Sequence, residues 1–367
     1  MKNEWYDYWF DCVKGIGPAR KKYLKRKSGN IELIYNIEES DCELKSLLSL
    51  TEQEFELIRA SKAGRNWKNE YTKINERGIR FISFDSVDYP VKLTEHSGMP
   101  YGLYVKGKMP GNEKNIAIVG ARRCSTYGES VTLKIAESLA EVGVGIISGM
   151  ALGIDGAAHR GALNVNGNTY AVLGCGVDIC YPRLHTGLYR DLEENGGIIS
   201  EYPPGTPPLA VHFPNRNRII SALSDAVLVM EAEEKSGSLI TADFALEQGK
   251  DVFALPGMID SRLSKGCNQL IRQGAGIISG ITEIMQDLEV FDQKRQENRK
   301  EMNKHEKIKL ETKELMVYGS LCLYPKSKQE IISATGMEPE IVSALLVALE
   351  LKGYITEISK NYYIRKN

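Results

Sequence analysis

The chain has 367 residues, 42% of them hydrophobic and 26% charged, with a formal net charge of −1. That length exceeds one compact core, the apolar fraction excludes wholesale disorder, and the near-neutral balance excludes a uniformly basic coat for nucleic acid. Seven scattered cysteines form no CxxC pair, and no stretch reaches the ~18 apolar residues of a membrane span, so the expectation is a soluble cytoplasmic protein without metal, disulfide framework or membrane contact.

In chain order, residues 1–75 hold short amphipathic patterns such as EWYDYWFDCV, GPARKKYLKRK and TEQEFELIRASK, which predict a small helical domain. The opening MKNEWYDYWF places acidic residues before any apolar run and does not read as a signal peptide. Residues 76–110 read as a connector with short strands, GIRFISF among them, punctuated by VDYP, GMPYG and GKMPG. From 115 to about 285 the apolar runs NIAIVG, VGIISG, NTYAVLG, GIISEY, DAVLVME, KDVFALPG and GAGIISG alternate with helical stretches. Strands apolar along their whole length, joined by crossovers of ~10–15 residues, predict an α/β fold with a doubly wound parallel sheet. FDQKRQENRKEMNKHEKIK, residues 291–309, is a charged linker. Over 310–367 three helical patterns precede YITEIS and NYYIRK, the order of a winged helix.

Ligands of an open parallel sheet sit beyond the carboxyl ends of its strands, so the residues following each strand carry the functional information. After NIAIV, Gly120 permits a tight turn, Arg122 brings charge, and Ser125 is placed to cap a helix whose free N–H groups favour an anion. After VGIIS, Gly149 and Gly153 flank a turn. Asp155 and His159 share a helical face, read here as a cap with a hydrogen-bonded histidine more than as an acid–base pair. Arg183 follows a Tyr-Pro turn, and Asn215, Arg216, Asn217 and Arg218 are placed in a loop before a helix. Ser236, Gly237 and Ser238 form a second oxyanion-binding turn. No GxxxxGK[ST], strand-following GxGxxG or GxSxG occurs. A site rich in phosphate donors and poor in proton-transfer groups holds a polyanion and does not transform it. The expectation is DNA binding with no catalytic residue and no cofactor.

VGARRCSTYG, ISGMALGIDGAAH, AVLGCGVDICYP, ISEYPPGT, FPNRNRIISALS, KSGSLITADFALEQGKDVFALPG and SKGCNQLIRQGA together resemble the DNA processing protein A family (DprA/Smf) in order and spacing. The resemblance implies an extended Rossmann fold that binds single-stranded DNA, forms a homodimer and helps load the RecA recombinase during natural transformation. It maps the arginine and serine of a GxR turn onto Arg122 and Ser125, a basic position onto Arg183, and an RNR motif onto Arg216–Arg218. His185 stands where the family commonly has asparagine. The implied dimer contacts fall on Leu270, Ile271 and Ile277.

The flanking segments carry readings of their own. KGIGPARKKYL, residues 14–24, has the Gly-hydrophobic-Gly turn of a helix-hairpin-helix, followed by a run of basic residues. In the C-terminal segment, Glu338 and Glu340 open the third helix and would repel a DNA backbone, which favours a protein contact over DNA reading. Two other functions fit parts of the sequence: a nucleotide-processing enzyme of the phosphoribohydrolase type, for which Glu247 lies too far along its helix, and a winged-helix transcription regulator.

Overall fold

The computed structural model describes residues 4–111, 113–289, 312–321 and 325–365. The charged linker expected at 291–309 lies outside the described residues. The chain divides into two compact units, 1–291 and 292–367.

The first unit begins with α1 (Glu4–Cys12), α2 (Pro18–Ser28), α3 (Ile31–Tyr35), α4 (Cys42–Leu48), α5 (Glu52–Lys62) and α6 (Trp67–Glu76). Their ends follow sequence rules. Thr51 and Glu54 form a capping box on α5, and Gly29 closes α2 in the left-handed region at φ 68°. β1 (Arg80–Ser83), α7 (Val91–Thr94) and β2 (Gly102–Gly107) follow. The α1 side chains Tyr8, Trp9 and Phe10 are buried. Tyr8 meets Phe81 at 5.9 Å and Tyr104 at 6.2 Å between ring centroids, and Phe10 meets Tyr101 at 5.6 Å. The change of composition near residue 76 therefore marks a change of secondary structure within continuous packing. The segment read as a connector supplies two strands of the sheet itself.

The remaining strands alternate with helices: β3 (Asn115–Val119), α8 (Thr126–Glu141), β4 (Gly145–Ser148), α9 (Ile154–Asn164), β5 (Thr169–Leu173), α10 (Thr186–Asn195), β6 (Gly197–Ser200), α11 (His212–Leu223), β7 (Ala226–Val229), α12 (Gly237–Glu247), β8 (Asp251–Ala254), α13 (Lys265–Arg272), β9 (Gly276–Ile277) and α14 (Ile281–Asp287). Among the described residues the sheet has nine strands in the order β1-β2-β6-β5-β4-β3-β7-β8-β9. From β6 to β9 every neighbouring pair is parallel, while β2 joins β6, and β1 joins β2, antiparallel. β3 to β6 wind one way and β7 to β9 the other, so the order reverses between β3 and β7. That is the topological switch point where a crevice opens.

Two apolar layers sandwich the sheet. One joins Ile135 and Leu139 of α8 to Ile154 and Ala158 of α9 and to Ile284 of α14; the other runs from the N-terminal helices through α10, α11 and α12. Strands β3 to β7 are buried at every position, as two-sided coverage requires.

The second unit contains α15 (Thr312–Ser320), β10 (Lys326–Ser327), α16 (Lys328–Thr335), α17 (Pro339–Leu351), β11 (Ile355–Ser359) and β12 (Tyr362–Arg365). Its strands pair in the order β10-β12-β11 around a core of Val317, Leu321, Ile331, Val342, Leu346, Leu349 and Ile355. Among the described residues no single helix is long and apolar enough to cross a membrane.

Candidate functional site

A cleft of about 490 Å³ opens at the switch point. Val119 and Gly120 line it from the end of β3, and Ser236, Gly237, Ser238 and Thr241 line it from the first turn of α12. Phe213, Arg216 and Asn217 reach it from α11, with Ala151 and Asp155 beneath and Tyr181 at the side. The structure thus gathers Gly120, Arg122, Arg216, Asn217, Ser236, Gly237 and Ser238 of the expected set. Ser125, Gly149, Gly153, Arg183, Asn215 and Arg218 fall outside the lining.

Arg122 is exposed, and its guanidinium lies over the Phe213 ring, 5.5 Å from the centroid. Phe213 also faces Tyr181 at 5.4 Å with the planes 31° apart. Behind them Tyr202 stacks on His212 at 4.0 Å. Residue typing for phosphate donors missed these aromatics. The available signal was their adjacency to flagged motifs, since Tyr181 precedes Pro182-Arg183 and Phe213 opens FPNRNR.

Arg216 sits differently from its expected place. The segment Asn215–Arg218 is not a loop: it lies within the first two turns of α11. Pro214 and two asparagines read as breakers, but proline is tolerated in a first helical turn, where its missing N–H has no partner to lose. Arg216 is only 4% exposed. One guanidinium nitrogen donates to the carbonyls of Gly149, at 2.9 Å, and Val172, and its Nε donates to Asn217 Oδ1 at 3.2 Å. Burial lowers its pKa to about 10 despite the opposing pull of Asp155. Gly149 has a steric role here, because a Cβ would stand 2.5–2.7 Å from the guanidinium. Arg216 therefore ties the ends of β4 and β5 together as the floor of the cleft, where the sequence reading had an accessible phosphate ligand.

Asp155 Oδ2 accepts the N–H groups of Gly149 and Ala151 at 3.1 and 3.4 Å. Burial raises its pKa, opposed first by Arg216. It lies inside the first turn of α9, whose cap is Gly153 at φ 74°. There a Cβ would come within 2.3 Å of the Ala121 carbonyl. His159 is fully buried and shares a 2.7 Å hydrogen bond with Thr169 Oγ1, and burial lowers its pKa to about 3. His185 is buried against α9, with Nδ1 3.1 Å from the Met150 carbonyl.

The two anion-binding turns part company. Ser125 caps α8 by accepting from Gly128 N–H at 3.0 Å, but its own N–H and hydroxyl donate to Glu231 at 2.8 and 2.5 Å. Glu231, 5% exposed, supplies the anion from within the protein. The expected phosphate contact at Ser125 is thereby corrected, since the helix end is already neutralised. Ser236 caps α12, its hydroxyl sharing a 2.8 Å hydrogen bond with that of Ser238, and this turn faces the cleft. Asn217 braces it by donating to the Gly237 carbonyl at 3.1 Å.

Arg218 turns away from the cleft and pairs with Glu201 at 2.5 Å. Arg183 is exposed on a short 3₁₀ turn, two residues beyond Tyr181, and Asn215 is exposed on α11. Convergence of Arg122, Arg183 and Arg218 on one rim, as the sequence suggested, fails for Arg218: its neighbours in α11 face the cleft while it faces the N-terminal layer. Leu270 is core, Ile271 is half-buried against it, and Ile277 is half-exposed on edge strand β9. Among the described residues no three His, Cys, Asp or Glu side chains gather as metal ligands. Glu247 is exposed at the last residue of α12, roughly 15 Å along the helix from the cleft.

Residues 80–289 match the family described as DNA recombination-mediator protein A. The chain is 48% identical over 210 residues to Protein Smf of Escherichia coli (strain K12), a match spanning 57% of this chain and 56% of that protein. It is 38% identical over 301 residues to Protein Smf of Synechocystis sp., covering 78% of this chain and 74% of that one. Among solved structures it is similar to DNA processing protein A (DprA) from Streptococcus pneumoniae, with a TM-score of 0.66 and 32% identity over 78% of this chain and 98% of that one. It is also similar, with a TM-score of 0.52 and 32% identity over 57% of this chain and 95% of the other, to DNA processing protein A from Helicobacter pylori, whose structure is described for its single-stranded DNA binding mode.

Proposed function

The chain belongs to the DNA recombination-mediator protein A (DprA/Smf) family, and from that premise we propose that its switch-point cleft holds single-stranded DNA and breaks no bond in it. One observation carries the reading: an exposed guanidinium, an open helix N-terminus and an aromatic pair line the same cleft. Guanidinium and backbone N–H groups suit phosphate oxygens, while Tyr181 and Phe213 offer faces on which any base can stack. Asp155, the one acidic residue lining the cleft among the described residues, already accepts two backbone N–H groups and is poorly placed to move protons. The likeness to a relative described for single-stranded DNA binding supports the same ligand.

The test is fluorescence anisotropy with oligothymidylate. Arg122→Ala should weaken binding about tenfold and leave stability within about 0.5 kcal/mol, because the side chain is exposed. Unchanged affinity removes the assignment. Release of free base from nucleoside monophosphates would favour the phosphoribohydrolase reading, which the distant Glu247 argues against.

Finer parts of the proposal rest on the resemblance. The strand held in the cleft is handed to the RecA recombinase, and two copies pair through the edge of β9, where Ile277 is the exposed member of the expected set. The order of α15, β10, α16, α17, β11 and β12 fits a winged helix. Glu338 precedes α17 without a side-chain capping bond and Glu340 lies in its first turn, which favours a protein contact there over DNA reading. A monomeric mass in solution would remove the dimer.

A further inference from the structure

Five of the six basic residues of α2 fall into two sets. The inward set is satisfied: Arg20 pairs with Glu54 at 2.7 Å, Lys21 donates to the Asp11 carbonyl, and Lys25 bridges Asp7 and Asp85 at 2.5 and 2.6 Å. Lys22 and Arg26 form no ion pair with the described residues. Both stand over the Phe84 ring, at 5.5 and 5.3 Å from its centroid, and Lys22 is also 5.9 Å from that of Tyr89. These rings are buried, with Tyr89 Oη donating to the Pro100 carbonyl, so they position the two cations.

A third charge stands close by. Arg218 acts on both Lys22 and Tyr89, which places it on the same side of the molecule as α2. Burial, then Arg26, then Arg218 lower the Lys22 pKa to about 8. Glu201 neutralises Arg218 in part, with Arg218 Nη1 and Glu201 Oε1 buried without partners. Like charges held together with incomplete compensation form a surface that gains from an external anion. The location adds to this. Arg216 and Asn217 face the cleft while Arg218, the next residue, faces α2. α11 thus lies between the two places, and an α-helix is about 10 Å across.

We propose that Lys22 and Arg26, backed by Arg218, form a second phosphate-binding station that takes up the single strand as it leaves the cleft across α11. The proposal rests on the cleft's holding single-stranded DNA. It gives the N-terminal helical layer a DNA contact through the outward face of α2, and the Gly15-Ile16-Gly17 turn serves to set that helix.

The experiment compares short (about 6-nucleotide) and long (about 30-nucleotide) oligothymidylates on the full chain over a range of salt. The double variant K22E/R26E should keep wild-type affinity for the short strand and bind the long one about tenfold more weakly. Its slope of log affinity against log salt should fall by about 1.4, or 0.7 for each lost contact. The neutral K22Q/R26Q should shift in the same direction by less, which separates lost attraction from added repulsion. Arg26 is exposed and Lys22 half-buried, and neither forms an ion pair among the described residues, so thermal unfolding of the neutral variant should stay near that of the wild type. R122A should weaken both lengths. Wild-type affinity and slope for the long strand in both double variants overturn the second station alone. Failure of the wild type to bind either strand overturns the cleft reading, and the station with it.

Discussion

The turns after β3 and β7 share a plan: a strand end, a short loop, a serine cap and a helix. They serve opposite ends. In the first, the carboxylate of Glu231 fills the helix N-terminus through Ser125. In the second, Ser236 to Ser238 face the cleft, with the Gly237 carbonyl held by Asn217. A helix N-terminus attracts an anion whatever its source. Whether that anion is a ligand or the protein's own side chain depends on what the neighbouring strand carries. Glu231 lies two residues beyond the end of β7, so the helix end after β3 is closed from inside and that turn offers the cleft only Gly120 and the exposed Arg122. Among the described residues, no carboxylate hydrogen-bonds to the open turn.

The strongest test of this contrast removes the floor that both turns share. Arg216→Ala would strip the Gly149 and Val172 carbonyls of their buried donor and leave Asp155 without its largest compensating charge. The expected loss is about 3 kcal/mol, read as a fall in the urea midpoint, against almost none for Arg122→Ala. Equal stability of the two variants would mean that Arg216 is a surface residue in solution. Next, Glu231→Gln should cost about 1–2 kcal/mol through the lost helix-end charge and hydrogen bond, while oligonucleotide affinity stays within about twofold. A large affinity change there would show that the β3 turn does hold DNA.

The buried groups below the edge predict a pH effect. His159 has a folded pKa of about 3 against 6.5 in the unfolded chain. Between these values the unfolded chain binds the extra proton, so this contribution is complete above pH 6.5 and is lost as pH falls through it. The slope is up to about 1.4 kcal/mol per pH unit. His159→Gln should flatten the wild-type stability curve below pH 6.5 by that amount, and parallel curves would place the ring in water. The smallest effect is expected from Ser236→Gly, about 0.3 kcal/mol with near-normal DNA affinity, because glycine still caps and the backbone N–H groups remain. Strongly reduced binding would make the hydroxyl itself the ligand.

Much of the architecture is readable in the amino-acid sequence. Each of the seven apolar runs between 115 and 280 contains a strand of the sheet, and for β3 to β7 burial on both faces leaves the continuous apolar signature. GLYVKG at 102–107 escaped notice between its turn residues and became β2. Asn215 to Arg218 read as a loop because local breakers mask a helix that packing against β5 and α12 sustains. The site was legible as a set of loops but not as a set of directions. Arg216, Asn217 and Arg218 are consecutive, yet on a helix successive residues point about 100° apart. One became floor, one a brace and one an ion pair facing α2.

Composition, strand periodicity and turn chemistry therefore determined that this chain builds a parallel sheet and where its strands end, since those depend on each residue's own conformational preference and solvation. Which arginine meets solvent, which serine is already satisfied and which aromatics face the opening were decided by tertiary structure alone. These depend on partners brought from distant positions, such as Glu231 to Ser125 and Gly149 to Arg216, whose electrostatic and steric pairing exists only once the sheet has closed.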